Sequence, residues 1–565
     1  MTRVLLLLSI ALLTISVCPR SLAQQETGSI TGQILDPSGG AILNAEVTVR
    51  NESTNATFVA TTGQDGFYSA PQLAPGAYTI TVTSTGFNRL VRTGVIVRVN
   101  DRLRLDLTLQ VGTVAETVNV RESTPLLQAE DATAGQVVEN QRITELPLNG
   151  RNWLQLATLA PATVTYTNTV DGGTGNSQAV LMNLGGTRTN QNNYLLNGTD
   201  NTVFVSSGGA VVYPPVDSLQ EFKVQTNNYT ADTGRLAGAV INATIRSGSN
   251  EWHGSAYEFL RNRVLNARNF FARPGQSKPQ FTRNQFGASI GGPFVRNRLF
   301  FFLNYEGNRQ RQDQIVSRQV FTDAQKAGNF ASQLGAQIGV DPLGRPVAAG
   351  QIFDPFSVRR LPTGAVIRDA LPGNMIPASR LNPVSRRLIN LAPPPNASGS
   401  PNYILNLSAP LNIDTFVGRV DWVRSEKNSV FGHFVYADQH SFTAPILGLP
   451  ADGGNAQNYL TSNQLQFGLG WTHVVNSSNL NEFRIGYVRN TSLREAAQSN
   501  EDLNAKYGIP FPDPGPNVRG MAALTLPGFT QTIRPSSSSS TSTRSPKATL
   551  PFAPPTRSSS VFVVL

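Results

Sequence analysis

Histidine and cysteine, the residues that most often hold zinc or shuttle protons near neutral pH, are few and far apart. The four histidines are His253, His433, His440 and His473. None stands in the H-E-x-x-H spacing that sets two imidazoles on one helix face around zinc. The one cysteine, Cys18, lies in an apolar leader, so neither a disulfide nor thiolate chemistry is expected beyond it. No Gly-rich phosphate loop and no G-x-S-x-G nucleophile turn is present. We therefore read the sequence as that of a non-enzyme without cofactor or metal site. The net charge of +10 comes from basic residues scattered through the chain rather than gathered in blocks, which argues against nucleic acid as a partner.

Two other kinds of chemistry are written into the spacing. The first is strand addition. Glu116-Thr117-Val118-Asn119-Val120 places an acid before alternating polar and β-branched positions, and such an extended segment can offer its free N–H and C=O groups to the sheet edge of a partner. The same strand could instead close the preceding sheet or open the next unit. The second is partition between oil and water. In Gln464 to His473, Leu465, Phe467, Leu469 and Trp471 fall on one face of a strand. Gln464, Gln466, Gly468, Gly470 and Thr472 fall on the other, the dyad of a membrane β-barrel with lipid on one side and a polar lumen on the other.

The elements that must position these residues begin with the leader. Arg3 precedes a mostly apolar run from Val4 to Val17, and Ser21-Leu22-Ala23 supplies the small residues a signal peptidase reads. Residues 1–23 are expected to be a signal peptide cleaved after Ala23. The run of roughly fourteen residues falls short of the ~20 needed to span a bilayer, and Val17 is a poor residue before a lipid-bearing cysteine. No later stretch has 18 consecutive apolar residues, so any membrane crossing must be made by strands.

Within residues 24–112, β-rich runs at Ile30 to Leu35, Ala45 to Arg50, Thr57 to Thr61, Ala77 to Thr83, Val95 to Val99 and Leu103 to Leu109 are separated by turn clusters such as Asp36-Pro37-Ser38-Gly39-Gly40, Asp65-Gly66 and Ala74-Pro75-Gly76. This spacing predicts a small β-sandwich. Gly32 through Val49, Thr62 through Tyr68 and Leu73 through Tyr78 resemble the carboxypeptidase-regulatory-like domain. The resemblance implies a transthyretin-like, starch-binding-like sandwich without catalytic residues; sugar binding is a fold-level analogy only. A spacer or docking role in the periplasm is the plainer expectation.

Beyond residues 113–120, the segment 121–248 carries Leu146-Pro147-Leu148-Asn149-Gly150 and a short helix expected from Asn152 through Leu159, stopped by Pro161. Leu184 to Arg188, Tyr194 to Asn201, Ser218 to Val224 and Gly234 to Ser247 follow. In this order they resemble the plug of TonB-dependent outer-membrane receptors, especially the Oar-like group. The Asn, Thr, Gly and Arg content suits the filling of a polar lumen. Arg188 and Arg235 are candidates for ion pairs with wall carboxylates, or for solvated loop positions. On this resemblance Glu116 to Val120 is similar to a TonB box, and the implied partner is a TonB-type energy-coupling protein of the inner membrane.

Residues 249–530 are expected to hold the first strands of an antiparallel transmembrane β-barrel, incomplete against the ~22 strands of the family. Seven stretches near Trp252 to Leu260, Asn284 to Gly292, Leu299 to Glu306, Phe416 to Trp422, Ser429 to Asp438, Gln464 to His473 and Glu482 to Tyr487 supply them. Their connections alternate in length. Leu260 to Arg283, Gly307 to Thr415 and Asp438 to Gln464 are long; Gly292 to Arg298, Arg424 to Ser429 and His473 to Leu480 are short, as external loops and periplasmic turns should be.

Residues 531–565, with Pro535 followed by five serines, are expected to be a disordered Ser/Pro-rich tail of a truncated or frame-shifted copy, or a genuine terminus. The expected fold class is mainly β: sandwich, α+β plug, then a partial barrel. The expected function is energy-coupled uptake by a receptor in the outer membrane, with outer-membrane lipid around it and the N-terminal domain in the periplasm. The solute is unidentified, with carbohydrate and siderophore among the candidates. The alternative is a secreted β-rich adhesion or carbohydrate-binding protein.

Overall fold

The computed structural model describes residues 27–112, 117–121, 134–165, 180, 182–203, 208–227, 229, 235–270, 278–451, 459–476, 479–498, 501–510 and 558–564. The expected signal peptide with its expected cleavage after Ala23, Glu116, and the tail from 531 to 557 lie outside them.

The alternating residues of the N-terminal segment build two sheets around one core. β1 (Gly28–Leu35), β2 (Glu46–Asn51), β3 (Thr57–Thr61), β4 (Phe67–Leu73), β5 (Gly76–Thr83), β6 (Arg89–Val97), β7 (Arg102–Arg104), β8 (Leu107–Thr108) and β9 (Thr117–Arg121) are its strands. One sheet runs β4-β1-β7, with β8 also on β1; the other runs β3-β2-β5-β6-β9. Ile30, Ile34, Val47, Val49, Tyr68, Ile80 and Leu109 meet between them. β4 is absent from the sequence expectation because Pro71 and Gln72 at φ 58 break its alternation. The run from Leu103 to Leu109 divides into β7 and β8, both parallel to β1.

The plug is a five-stranded sheet, ordered β10 (Ala134–Glu139), β15 (Leu219–Asn227), β16 (Val240–Ile245), β13 (Asn193–Leu196) and β14 (Thr199–Asp200), with the small pair β11 (Thr163–Thr165) and β12 (Met182–Leu184) beside it. Asn152 accepts a hydrogen bond from the Leu154 N–H at 3.1 Å and starts the helix, which is wound as 3₁₀ over Trp153–Leu159. Trp153 packs on Phe222, centroid to centroid 4.9 Å.

The wall is an antiparallel sheet in the order β17 (His253–Asn262), β18 (Phe281–Val295), β19 (Leu299–Arg318), β25 (Leu411–Ser425), β26 (Asn428–Phe442), β27 (Tyr459–Asn476), β28 (Asn479–Glu495) and β29 (Ser558–Val564). All seven expected strands are there, with the long and short connections in the expected places. The excursion after β19 holds the hairpins β20 (Gln337–Val340) with β21 (Pro346–Ala348) and β22 (Arg359–Arg360) with β23 (Val366–Ile367), and returns through β24 (Tyr403–Ser408), which pairs with the end of β19. Within it Asp369 lies between Arg345 and Arg359, 2.6 and 2.5 Å away, and their hydrogen bonds hold its carboxyl well below the usual range.

One departure concerns the tail. Ser558–Val564, expected to be disordered, pairs antiparallel with Gly486 to Ser492 of β28. The reason is physical: an edge strand leaves a row of unmet N–H and C=O groups, and a β-rich run such as Val561-Phe562-Val563-Val564 can meet them.

The faces of the wall are inverted relative to a water-soluble sheet. Phe467 and Trp471 are 44% and 40% exposed, whereas Gln464 and Gln466, on the alternate face, are 3% and 0%. The same inversion holds for exposed Ile290, Leu303, Phe416, Val420, Phe434 and Phe483 against buried Gln285, Asn304, Asn308, Thr415 and His433. Phe301 is covered although it faces outward, because Trp252 and Phe294 pack on it at 5.4 and 4.4 Å. Trp252, Phe294, Trp422, Trp471 and Phe483 all stand at the strand ends beside the short turns and are exposed, the placement of an aromatic girdle at a membrane interface.

Candidate functional site

The candidate site is the seam where the plug meets the wall, together with the strand that leads into the plug. The turn Asn149-Gly150-Arg151 begins the seam. Gly150 sits at φ 70, a conformation that suits a residue without Cβ, and Arg151 follows at φ 52, an uncommon conformation for a side chain of its size. The turn throws the Arg151 guanidinium toward β17. There its Cζ lies 4.7 Å from the Tyr257 ring centroid and 4.2 Å from that of Phe259.

Arg151 is ion-paired with Asp217 of the plug, and its Nε is 3.8 Å from Glu306 of β19. Tyr257 donates its hydroxyl to Glu306 at 2.9 Å. All three charged side chains are nearly buried, where an ion pair holds only if both charges keep their partners. Burial pushes the Asp217 carboxyl up, and the neighbouring Arg151 and Arg246 pull it back. Beside them, Arg261 and Arg283 donate to Asn149 at 3.0 and 3.3 Å, and Gln285 donates to the Gly150 carbonyl at 3.1 Å.

Farther round the wall, Arg419 of β25 donates to the Ile245 carbonyl at 2.8 Å and is ion-paired to Asp421, and Ser247 donates to Asp421 at 2.7 Å. Gln466 of β27 donates to Thr199 of the plug at 3.0 Å. Phe302, Val417, Val435 and Val488 of the wall join the plug's apolar core. The seam is thus mostly polar with an apolar patch: oriented side chains meet in a place where water is scarce.

The sandwich closes this assembly on the side of the short turns. The turn after β6 docks on the plug. The Val99 N–H donates to Glu221 of β15, Lys223 donates to the Asn100 carbonyl at 3.1 Å, and Arg98 pairs with Glu139 at 2.7 Å. Burial raises the Glu221 carboxyl to about 7, opposed by the Val99 hydrogen bond. Against the wall the sandwich makes scattered amide contacts: Asn55 to Asn297 at 3.1 Å and Gln72 to Glu482 at 2.7 Å.

Of the sequence-predicted segment, Thr117, Val118, Asn119 and Val120 lie in β9. It runs parallel to β6 in the register Arg89↔Thr117, Leu90↔Val118, Val91↔Asn119 and Arg92↔Val120. Of the uses open to this segment, the structure therefore shows it on the preceding sheet. Arg235 pairs with Asp200 inside the plug at 2.9 Å. Arg151, Asp217, Glu306 and Arg419 were not singled out by sequence reasoning. The Asn149-Gly150 turn signal stands next to Arg151 but says nothing about where its side chain goes.

A wall with a polar inner face, an apolar outer face and a domain seated against the inner one defines an outer-membrane β-barrel with its plug. The family model "Outer membrane beta barrel domain" matches residues 244–550, more than half of the chain, and "Carboxypeptidase regulatory-like domain" matches residues 29–110. The "TonB-dependent transporter Oar" of Myxococcus xanthus is 26% identical over 304 residues, which cover 50% of this chain and 27% of that protein. Among solved structures, the outer membrane transporter YddB from Escherichia coli aligns with 13% identity and a TM-score of 0.38 over 65% of this chain and 40% of its own. The siderophore receptor PirA from Acinetobacter baumannii aligns with 12% identity and a TM-score of 0.31 over 64% and 45%. The chain belongs to the outer-membrane β-barrel family, and its place is the cell outer membrane. It spans about a quarter of the length of the curated relative it matches.

Proposed function

We propose that the chain acts in energy-coupled uptake of a solute across the outer membrane: external loops bind the solute, and a TonB-type protein acts through residues 116–120 to remodel the plug. The observation that carries the reading is the seated plug, held to an inside-out wall by Arg151, Asp217 and Glu306. Such a latch is strong while paired and releases when one partner is withdrawn, which suits a gate. The exposed aromatic face weighs against a soluble adhesion or sugar-binding sheet, since Phe467 and Trp471 would be costly in water. None of these roles is catalytic. Carbohydrate and siderophore both stand as candidate solutes, and the regulatory-like domain is read as a periplasmic docking unit covering about 24–112, ahead of a plug over 121–248 and strands over 249–530.

The test places a photo-crosslinking residue at Val118 of the full chain in cells. Crosslinks to a TonB-type protein, from chain recovered with the outer membrane, are expected. Recovery of the chain in the medium, or crosslinks only within the chain, would overturn the reading.

A further inference from the structure

Glu221 stands where the sandwich meets the plug, and its carboxyl is sealed there. The Val99 N–H of the turn after β6 donates to it, and the residue is buried. The charged groups that face it do not balance. The turn brings Arg98 and Asp101, β10 brings Glu139 at the position paired with Glu221, and Lys223 follows two residues along β15 on the same face. Among the described residues, three carboxyls thus meet two cations. Arg98 is committed to Glu139 at 2.7 Å, and Lys223 reaches the Asn100 carbonyl at 3.1 Å. A carboxylate in excess is costly in so dry a place, and one added proton removes the excess. The same turn also holds an unmet acceptor: the Asn100 side-chain oxygen is buried with no hydrogen-bond partner among the described residues. A neutral carboxyl carries the O–H donor that an ionised one lacks.

We propose that the sandwich–plug junction is proton-linked: the protonated Glu221 carboxyl holds the sandwich on the plug, and its ionisation loosens the hold. Docked, the group is dry and crowded by Asp101 and Glu139, which leaves it at about 7 against an ordinary 4.5. Once the turn withdraws, water reaches the carboxyl and it returns toward the ordinary value. Docking therefore takes up a proton between these limits, so the junction tightens as pH falls and slackens as pH rises through about 7. This regulation is independent of the solute and of the coupling partner.

Val99 is fully buried, and a cysteine in its place keeps the backbone N–H while reporting when the junction opens. In the full chain carrying Cys18→Ser and Val99→Cys, the rate of reaction with a water-soluble maleimide is measured and divided by the rate in the urea-unfolded chain at the same pH. The ratio removes the thiol's own titration and gives the opening constant. It is expected to rise roughly 70-fold from pH 5 to pH 8. With Glu221→Gln added, it should stay within about twofold, because the amide still accepts from Val99 but does not titrate. A cysteine at Val47, in the sandwich core, should show no such rise. A constant indifferent to pH at position 99 would overturn the proposal, and so would an undiminished rise in the Glu221→Gln chain. A matching rise at Val47 would mean that the sandwich itself unfolds, which would also overturn it. Hydrogen exchange of the peptide holding Val99, in the unsubstituted chain, gives the same readout if the cysteine disturbs the turn.

Discussion

Arg151 lies between two aromatic rings and two carboxylates at the seam, so its removal strands Asp217 and Glu306 in a nearly dry place. Arg151→Ala is expected to weaken plug retention by roughly 3–5 kcal/mol. Arg151→Lys should be intermediate, since a point charge cannot reproduce the planar stacking. Protease release of the plug under urea measures this, and an unchanged midpoint for Arg151→Ala would refute the latch. Glu221 makes a prediction of opposite character. Its folded value of about 7 lies above the ordinary 4.5, so the folded chain binds more protons than the unfolded one between these limits. Stability therefore falls as pH rises from about 4.5 to about 7 and levels off beyond. Glu221→Gln keeps an acceptor for the Val99 N–H and should abolish that slope; an identical slope in the variant would refute the assignment. Neither residue announces itself in the sequence. A buried charge looks like any other charge until a partner from a distant strand is placed beside it.

Strand structure was far more legible than charge pairing. In the wall one face meets lipid and the other the plug, so the alternation survives in residues such as Leu465, Phe467, Leu469 and Trp471, and loop lengths reveal which ends are external. In the sandwich β4 was hidden by Pro71 and Gln72, and β29 was hidden because edge pairing follows from what β28 lacks rather than from any local pattern. The inner face also contains a spacing rule that hydrophobicity does not report. An added Cβ at Gly470 would lie 2.1 Å from the Phe431 ring, and one at Gly468 would lie 2.2 Å from the His433 ring. Each ring lies over a neighbouring-strand glycine that leaves room for it. Gly470→Val should displace Phe431 and destabilise the wall by about 1–3 kcal/mol, visible as a lower temperature for the heat-induced gel shift. Unchanged heat modifiability would show that the ring has room elsewhere.

At the scale of the whole molecule, orientation in the membrane can be checked with single cysteines. Phe467→Cys is expected to react with a membrane-partitioned maleimide. Gln466→Cys, one residue away but buried beneath the plug, should resist both lipid-soluble and water-soluble reagents until urea dislodges the plug. Equal protection of the two positions would contradict the inside-out wall. The sandwich is gripped unevenly: exposed amides such as Asn55 touch the wall, whereas the buried Glu221 and Lys223 engage its backbone from the plug. Tension should peel the flimsy attachments first, leaving the two N-terminal bodies to depart from a stationary wall as one cargo. Optical-tweezer traces would then begin with a low-force rupture at the rim, ahead of any loss of the Val99 junction.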